Sequence, residues 1–502
     1  MGAEEKTLLL IDERLGNKRL VMKKPDLPLL LAVFLSLGMS RISASEATAA
    51  HETFRGAMTL DQAVGIALRQ NTDVLRAIQQ IQLTRGQVIQ VRGQALPQVG
   101  LNSSYAQKER SLVGGQGLSG SIDPRSWEVN IQATQVVYSG GQVGASIKIA
   151  KFANDSSYFS LRDTIDNTIA KVRQNFYNVL LDAELITVQE QSVKLLTSQL
   201  KDQENRFAAG TVPAFNVLQA KVALANEQPV LIRAKGTYDL ALVELSKTLG
   251  LDPGANGKPT FTAKGELTVS ERGFGLKNAI DLALKQRPFL KVQRLAILSQ
   301  KEQIKVAFAG YLPKVNANIG ETVRNSVVSN QMDNLINGWF FGFTGNWAIF
   351  DGLETYGAVK AARASLEQAK IQYDASVQQV EMEVQQAYVK LQTARATIES
   401  GRMTVTLAEE SLRLATDRLA AGAGTQLDVL NAQTQLTVAR STELQARADY
   451  NIALADYDRV TASATKYAET FADPLVGMKV PKMPVLKNPD QLKNPAGAPQ
   501  HQ

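Results

Sequence analysis

The chain has 502 residues, 21% charged and 44% hydrophobic, with a formal charge of +7 spread along its length, which is the make-up of a folded protein and argues against a nucleic-acid-binding stripe. It holds no cysteine and only two histidines, His51 and His501. That excludes disulfides, cysteine-ligated zinc, iron–sulfur clusters and a lipidated cysteine, and it leaves histidine acid–base or metal chemistry without residues. No catalytic site, cofactor or metal is expected.

The N-terminus reads as an export address. Lys23-Lys24 precede Leu27 to Leu37, apolar except for Pro28 and Ser36, and small residues follow at Ser43-Ala44-Ser45. Residues 1–44 are therefore assigned to a signal peptide. Met22 directly precedes Lys23, so residues 1–21 read as an upstream extension. The apolar core is shorter than the ~20 residues of a membrane-spanning helix, and no other long apolar run occurs. Residence in a membrane would then require a β-barrel.

Past the leader, a helix starting near Leu60 leads to Ala95-Leu96-Pro97, where alternation of period two begins. Val99, Leu101 and Tyr105 alternate with Gln98, Asn102 and Ser104. After a polar loop, Lys108 to Arg125, the residues Trp127, Val129, Ile131, Ala133 and Val137 alternate with Glu128, Asn130, Gln132 and Thr134. Tyr138-Ser139-Gly140-Gly141 closes this strand. A helix is predicted from Gln142 to Ala209, with three-four apolar spacing at Ile165, Ile169, Val172, Phe176, Val179, Ala183 and Ile186. Gly210 ends it, Thr211 to Asn216 reverse the chain, and a second helix follows. Asp252-Pro253-Gly254-Ala255-Asn256-Gly257 opens a linker over 253–272.

The same order then recurs. Leu276 to Tyr311-Leu312-Pro313 aligns with Leu60 to Pro97 at an offset of 216, and Arg418-Leu419-Ala420-Ala421-Gly422 aligns with Arg206-Phe207-Ala208-Ala209-Gly210 at 212. The second strands place Val315, Ala317 and Ile319 against Asn316, Asn318 and Thr322, then Trp339, Phe341, Phe343, Trp347 and Ile349 against Gly342, Thr344 and Asn346. A loop from Arg324 to Asn337 lies between them. The long helix, Gly357 to Ala421, carries the seam Val380, Val384, Ala387, Leu391, Ala394 and Ile398. Residues 57–252 and 273–465 are read as two copies of one unit. Residues 466–502, rich in Pro and Lys, are read as a disordered tail. Each long helix would span about 100 Å, yet four strands cannot close a barrel, whose smallest common size is ~8, so the chain must oligomerise.

The paired motifs Arg206 to Gly210 with Asn216-Val217-Leu218-Gln219-Ala220, and Arg418 to Gly422 with Asp428-Val429-Leu430-Asn431-Ala432, resemble those of the TolC-type outer-membrane efflux family. Ala95-Leu96-Pro97, Tyr311-Leu312-Pro313, Tyr138-Ser139-Gly140-Gly141 and Phe350-Asp351-Gly352 add to the resemblance, which covers nearly all of 57–465. It implies a membrane α+β fold: a trimeric 12-stranded β-barrel, four strands per chain, continued by a long coiled-coil α-helical barrel. It implies a homotrimer in the bacterial outer membrane with its tunnel in the periplasm, a passive duct and not an enzyme. The equatorial band would include the C-terminal region. Its partners would be outer-membrane lipid, a periplasmic adaptor and an inner-membrane RND or ABC pump.

Site residues follow from the same alignment. The barrel aromatics are Trp127, Tyr138, Trp339, Trp347 and Phe350. The adaptor-docking tips are Gly210, Thr211, Val212, Gly422, Ala423, Gly424 and Leu427, with Val212 and Leu427 expected to be exposed. The gate is assigned to Asp428, at the family's first acidic ring, with Asn431 at the second ring and Asn216 where an Asp can stand. Gly424 occupies the place of a gate-closing Arg, and Leu419 that of a Tyr. The charged links that close the gate in some members are therefore largely missing, and closure is expected to rest on packing and weaker hydrogen bonds, with a weaker cation block. The competing reading is an exported coiled-coil scaffold without a pore. An exported hydrolase lacks a nucleophile with a base, and a free-standing porin would not need the long helices.

Overall fold

The computed structural model describes residues 54–109, 124–252, 257, 259–269, 273, 275–326 and 335–463. The leader, most of both external loops, much of the linker and the tail lie outside these residues.

Each half begins with a short helix pair. In the first, α1 (Leu60–Gln70) starts on a reciprocal cap in which Thr59 and Gln62 bond each other's backbone, and α2 (Thr72–Gly93) is capped by the Asn71 carboxamide, which accepts from the amides of Asp73 and Val74. In the second, α5 (Leu276–Gln286) leads to α6 (Pro288–Phe308), whose proline sits where no intrahelical donor is needed. Two 67-residue helices dominate: α3 (Gln142–Ala208) and α7 (Glu354–Ala420), each on the order of 100 Å long. Each turns back into a shorter helix, α4 (Ala214–Leu249) and α8 (Gln426–Val460). Helix α7 begins three residues before the predicted Gly357 because the Asp351 carboxylate caps its start, accepting from the amides of Leu353 (3.1 Å) and Thr355 (2.9 Å).

The apolar spacings become contacts. Val380, Val384, Ala387, Leu391, Ala394 and Ile398 are all buried, against α5 at one end of the stripe and α8 at the other. On α3, Ile165, Ile169, Val172, Phe176 and Val179 are buried, while Ala183 and Ile186 are half-buried. Helix α3 packs on both α4 and α8, and α8 on α7, so the four run side by side as a sheet-like wall. Helix α2 continues the line of α4: the Asn71 Nδ2 donates to the Thr248 carbonyl at 2.7 Å, where α4 ends. Helix α6 meets the end of α8 in one apolar cluster containing Leu290 and Val460. At that second joint Arg287 is buried and the charges around it are half-buried. Arg287 bridges to Glu383, which also faces Arg459, and Arg173 of α3 pairs with Asp458 of α8 at 3.1 Å.

The strands β2 (Gln98–Gln107), β3 (Arg125–Tyr138), β5 (Lys314–Asn325) and β6 (Leu335–Asn346) form one antiparallel sheet in that order. A small parallel pair, β1 (Gly56–Met58) with β4 (Phe261–Ala263), lies beside the helices. The expected extension of the last strand through Trp347 to Ile349 is not formed. Asn346 pairs with Lys314, so the next partner would be Pro313, which has no N–H to donate. Trp347 and Phe350 therefore lie in the turn beyond the sheet, and the Trp347 indole donates to the Tyr311 carbonyl at 3.1 Å.

Phe176, 1% exposed in the core beneath α1, is the largest apolar ring on the α3 seam. Its replacement by Ala is expected to cost about 3–5 kcal/mol, read as a lowered urea midpoint of the helical circular dichroism signal in detergent.

Candidate functional site

Opposed residues of an antiparallel ladder share a face, so the register sorts the sheet into two surfaces. One carries the rows Val99–Ala133–Ile319–Phe341 and Leu101–Ile131–Glu321–Trp339. It is exposed: Leu101 by 68%, Phe343 by 65% and Trp339 by 79%. Phe341 and Phe343 meet edge to face at 5.2 Å. Trp127 is half-buried opposite Tyr105, and Tyr138 is exposed at the other end of the same strand. Glu321, which the alternation did not bring out, is the one acid in these rows.

The other surface is polar, with an opposed Glu128–Arg324 pair toward one end and Lys314 at the other, and between them a network of uncharged side chains. Asn130 donates to Thr322 (3.0 Å), Gln132 and Thr134 both donate to the Asn318 oxygen (3.0 Å each), and Asn318 donates to Thr344 (2.8 Å). A face of this kind suits water, and the opposite face suits hydrocarbon. Strands of 10, 14, 12 and 12 residues are long enough to cross a bilayer when tilted. Among the described residues, β2 and β6 each pair on one side only, so both edges of the sheet are open. The two edge strands run in opposite directions. The free edge of β6 in one copy therefore matches the free edge of β2 in another as an antiparallel pair.

The far ends of the long helices turn back in two reversals. Gly210 (φ 74°) and Gly422 (φ 72°) take the left-handed conformation that L side chains avoid. Around each, two hydrogen bonds close the helix end: Gly210 N to the Phe207 carbonyl and Thr211 N to that of Arg206, and likewise Gly422 N to Leu419 and Ala423 N to Arg418. Gln203 of α3 and Gln426 of α8 bond across the wall at 3.3 Å, buried, which brings the two reversals together.

The reversals differ in how the returning helix starts. In the second, Thr425 and Asp428 form a reciprocal cap. The Asp428 Oδ2 accepts from the Thr425 amide (2.9 Å) and hydroxyl (2.8 Å), and the Thr425 Oγ1 accepts from the Asp428 amide (3.2 Å). These bonds from Thr425, with the nearby Arg418 guanidinium, hold the Asp428 carboxyl below the usual carboxylate range. In the first reversal Pro213 stands in the capping place and offers no side-chain bond, so Asn216 has no such role. Asn431 lies one turn beyond Asp428 and is exposed like it. Gly424 is pressed against the end of α7; an added Cβ would lie 3.1 Å from the Leu419 nitrogen and 3.2 Å from the Arg418 Cβ.

Val212, expected to be exposed, is half-buried, because the turn folds back onto its helix end through the Thr211 amide and hydroxyl bonds to Arg206. Leu427 is 49% exposed as expected. Sequence reasoning missed the larger apolar surface nearby, formed by Phe207, Phe215 and Leu218 at 49%, 68% and 59% exposure. The three-four spacing of Phe215, Leu218 and Val222 could have flagged it. The cap gives a measurable consequence. Thr425→Ala should weaken the second reversal by about 1 kcal/mol, lowering hydrogen-exchange protection of the Asp428 amide about fivefold. Because the folded pKa of Asp428 is depressed, its contribution is present above the ordinary carboxylate range. Protection should fall as pH drops through the depressed value in the wild type, and much less in Thr425→Ala.

Comparison with known proteins gives the same architecture. The fold is similar to the CmeC outer membrane channel of Campylobacter jejuni, with a TM-score of 0.74 and 16% identity over 83% of this chain and 88% of that one. It is similar to the outer membrane protein VceC of Vibrio cholerae (TM-score 0.68, 17% identity, 80% and 95% covered) and to the MtrE outer membrane channel of Neisseria gonorrhoeae (TM-score 0.64, 18% identity, 80% and 88% covered). The alkaline protease secretion protein AprF of Pseudomonas aeruginosa is 26% identical over 180 residues, a stretch that spans 36% of this chain and only 37% of AprF. The family model for outer membrane efflux proteins matches residues 63–251 and again 279–462. Matched along most of its length and in both halves, the chain belongs to the outer membrane efflux protein family.

Proposed function

We propose that three copies of this chain form a passive export duct across the outer membrane and the periplasm, supplied by an inner-membrane pump through a periplasmic adaptor. The observation that carries this reading is the sheet: two-faced, bilayer-length and open at both edges, at one end of helices about 100 Å long. Two copies would make eight strands, whose interior side chains fill the barrel; three make twelve, which leaves a lumen. The exposed apolar stripe of α4, including Val222, Ile232 and Val243, and that of α7, including Ile371, Met382, Val389, Met403 and Leu414, supply faces for neighbouring copies. The names of relatives span protease secretion and outer membrane channels, so the cargo class is set by the pump that is engaged. The duct itself carries out no reaction.

The reversals at Gly210, Thr211 and Val212 and at Gly422, Ala423, Gly424 and Leu427 serve as the adaptor-docking tips, and Phe215 and Leu218 extend that surface. Asp428 forms the gate's acidic ring, and Asn431 and Asn216 leave the neighbouring positions uncharged.

Protein purified from solubilised outer membrane should have the mass of three chains by light scattering and should conduct ions in planar bilayers. A soluble monomer or dimer without conductance would instead support the coiled-coil scaffold. In the bilayer assay, block by hexaamminecobalt(III) added from the tip side should be moderate and should weaken at least tenfold in Asp428→Asn. Unchanged block in that variant would remove Asp428 from the gate.

A further inference from the structure

Three helices of the wall enclose a cleft of about 700 Å³. Helix α8 gives its floor with Ala446, Ile452 and Ala453, and α3 and α7 give its two sides. Ala446 and Ala453, with Ala394 of α7, are buried in the seam between α7 and α8, and their short side chains leave the space above that seam open. The volume lies within the range of small-molecule sites. The cleft opens on one face of the wall, away from the linker. On the linker side, Gly265 lies against Phe176 and Leu180 of α3, and Val269 packs with Leu391 and Tyr450. Lys171 stands five residues before Phe176, about 140° round the helix, and Ile452 stands two residues past Tyr450, about 200° round. Asp449 and Asp456, which also line the cleft, follow Asp428 by 21 and 28 residues. These are whole heptads, so the cleft continues the stripe that starts at Asp428.

The charges of the cleft are unequally engaged. Arg459 is held by Asp456 at 2.8 Å and donates to the Asn167 side chain at 3.4 Å. Asp456 is thereby neutralised, and Asp449 accepts from the Gln445 side chain at 2.9 Å. Lys171 on the α3 side and Lys390 on the α7 side are exposed, and neither has an ion-pair or hydrogen-bond partner among the described residues. Two unengaged ammonium groups therefore flank an apolar floor, against a single acid without a cationic partner.

We propose that this cleft binds small organic anions with a flat apolar body, the anionic groups held between Lys171 and Lys390 and the body lying on Ala446, Ile452 and Ala453. Binding itself needs only one chain; the proposal rests on the duct reading for one point, that the cleft opens on the lumen. There it recurs in every copy, as a station on the wall where an anionic amphiphile pauses in transit.

Naphthalene-1,5-disulfonate, doubly charged and so kept out of a neutral detergent micelle, is the probe. Its fluorescence anisotropy would be followed as the full chain, purified in such a detergent, is added. Saturable binding is expected. The double variant Lys171→Gln with Lys390→Gln should weaken it about tenfold, as loss of two exposed charge contacts implies. Both lysines are exposed, so the fold does not depend on them. Asp449→Asn should tighten binding, and Lys264→Gln, an exposed lysine of the linker, should leave it unchanged. Inorganic sulfate, which has no apolar body, should compete poorly. The proposal is overturned by the absence of saturable binding, by equal affinity in the double variant, by a loss in Lys264→Gln as large as in that variant, or by sulfate competing as well as the probe itself. Conductance and mass report the duct separately. Probe binding by a protein that neither trimerises nor conducts would sink the duct and leave the site, and a conducting trimer that ignores the probe would do the reverse.

Discussion

A strand edge facing hydrocarbon leaves a row of N–H and C=O groups with no water to satisfy them, at several kcal/mol for each group. The sheet of this chain has two such edges and four strands of bilayer length. Much of the rest follows from that. The edges run in opposite directions, so they close only head to tail around an axis, and a closed ring multiplies everything attached to it. The long helices hang from the strand ends and must repeat with the same symmetry. The apolar stripes on α4 and α7, exposed among the described residues, are then the natural joints between copies.

Within one chain, the two halves solve the same packing problem with different chemistry. Where α4 meets α2, a neutral carboxamide at Asn71 caps one helix and bonds the end of the other. Where α8 meets α6, the corresponding ground is held by Arg287, Glu383 and Arg459. Burial raises the carboxyls of Asp163 and Asp166 on the facing side of α3 above their usual range, against the pull of Arg287 on Asp163 and of Arg162 on Asp166. The tips differ in the same sense, with a reciprocal cap at Thr425 and a proline at Pro213.

Period-two alternation and three-four spacing are strong signals when one face is wet and the other dry, which is why the strands and the seams of α3 and α7 could be read directly. Ladder ends are set by pairing and not by hydrophobicity. The apolar alternation runs on through Trp347 and Ile349, but a proline opposite stops the hydrogen bonds at Asn346. Glu321 was hidden for the converse reason: a single acid on an apolar face breaks no period. Phe215 and Leu218 were not legible as a partner surface because three-four apolar spacing at a helix start reads equally as a seam packed on a neighbouring helix. The caps were partly visible, since a Thr three residues ahead of an Asp is a known helix start, yet which oxygen meets which amide needed coordinates.

The stacked joints set how the wall can bend. Helices α3 and α7 run unbroken for 67 residues, while α4 with α2 and α8 with α6 cover the same direction in two pieces. A continuous helix resists bending along its whole length, because flexing it stretches a ladder of hydrogen bonds. A butt joint held by side-chain contacts, with no backbone ladder running through it, yields locally. Alternating stiff spars with jointed ones concentrates flexure in a single plane at the height of the joints, so that a small pull at the far tips would be taken up there as rotation, leaving the sheet at the other end undisturbed.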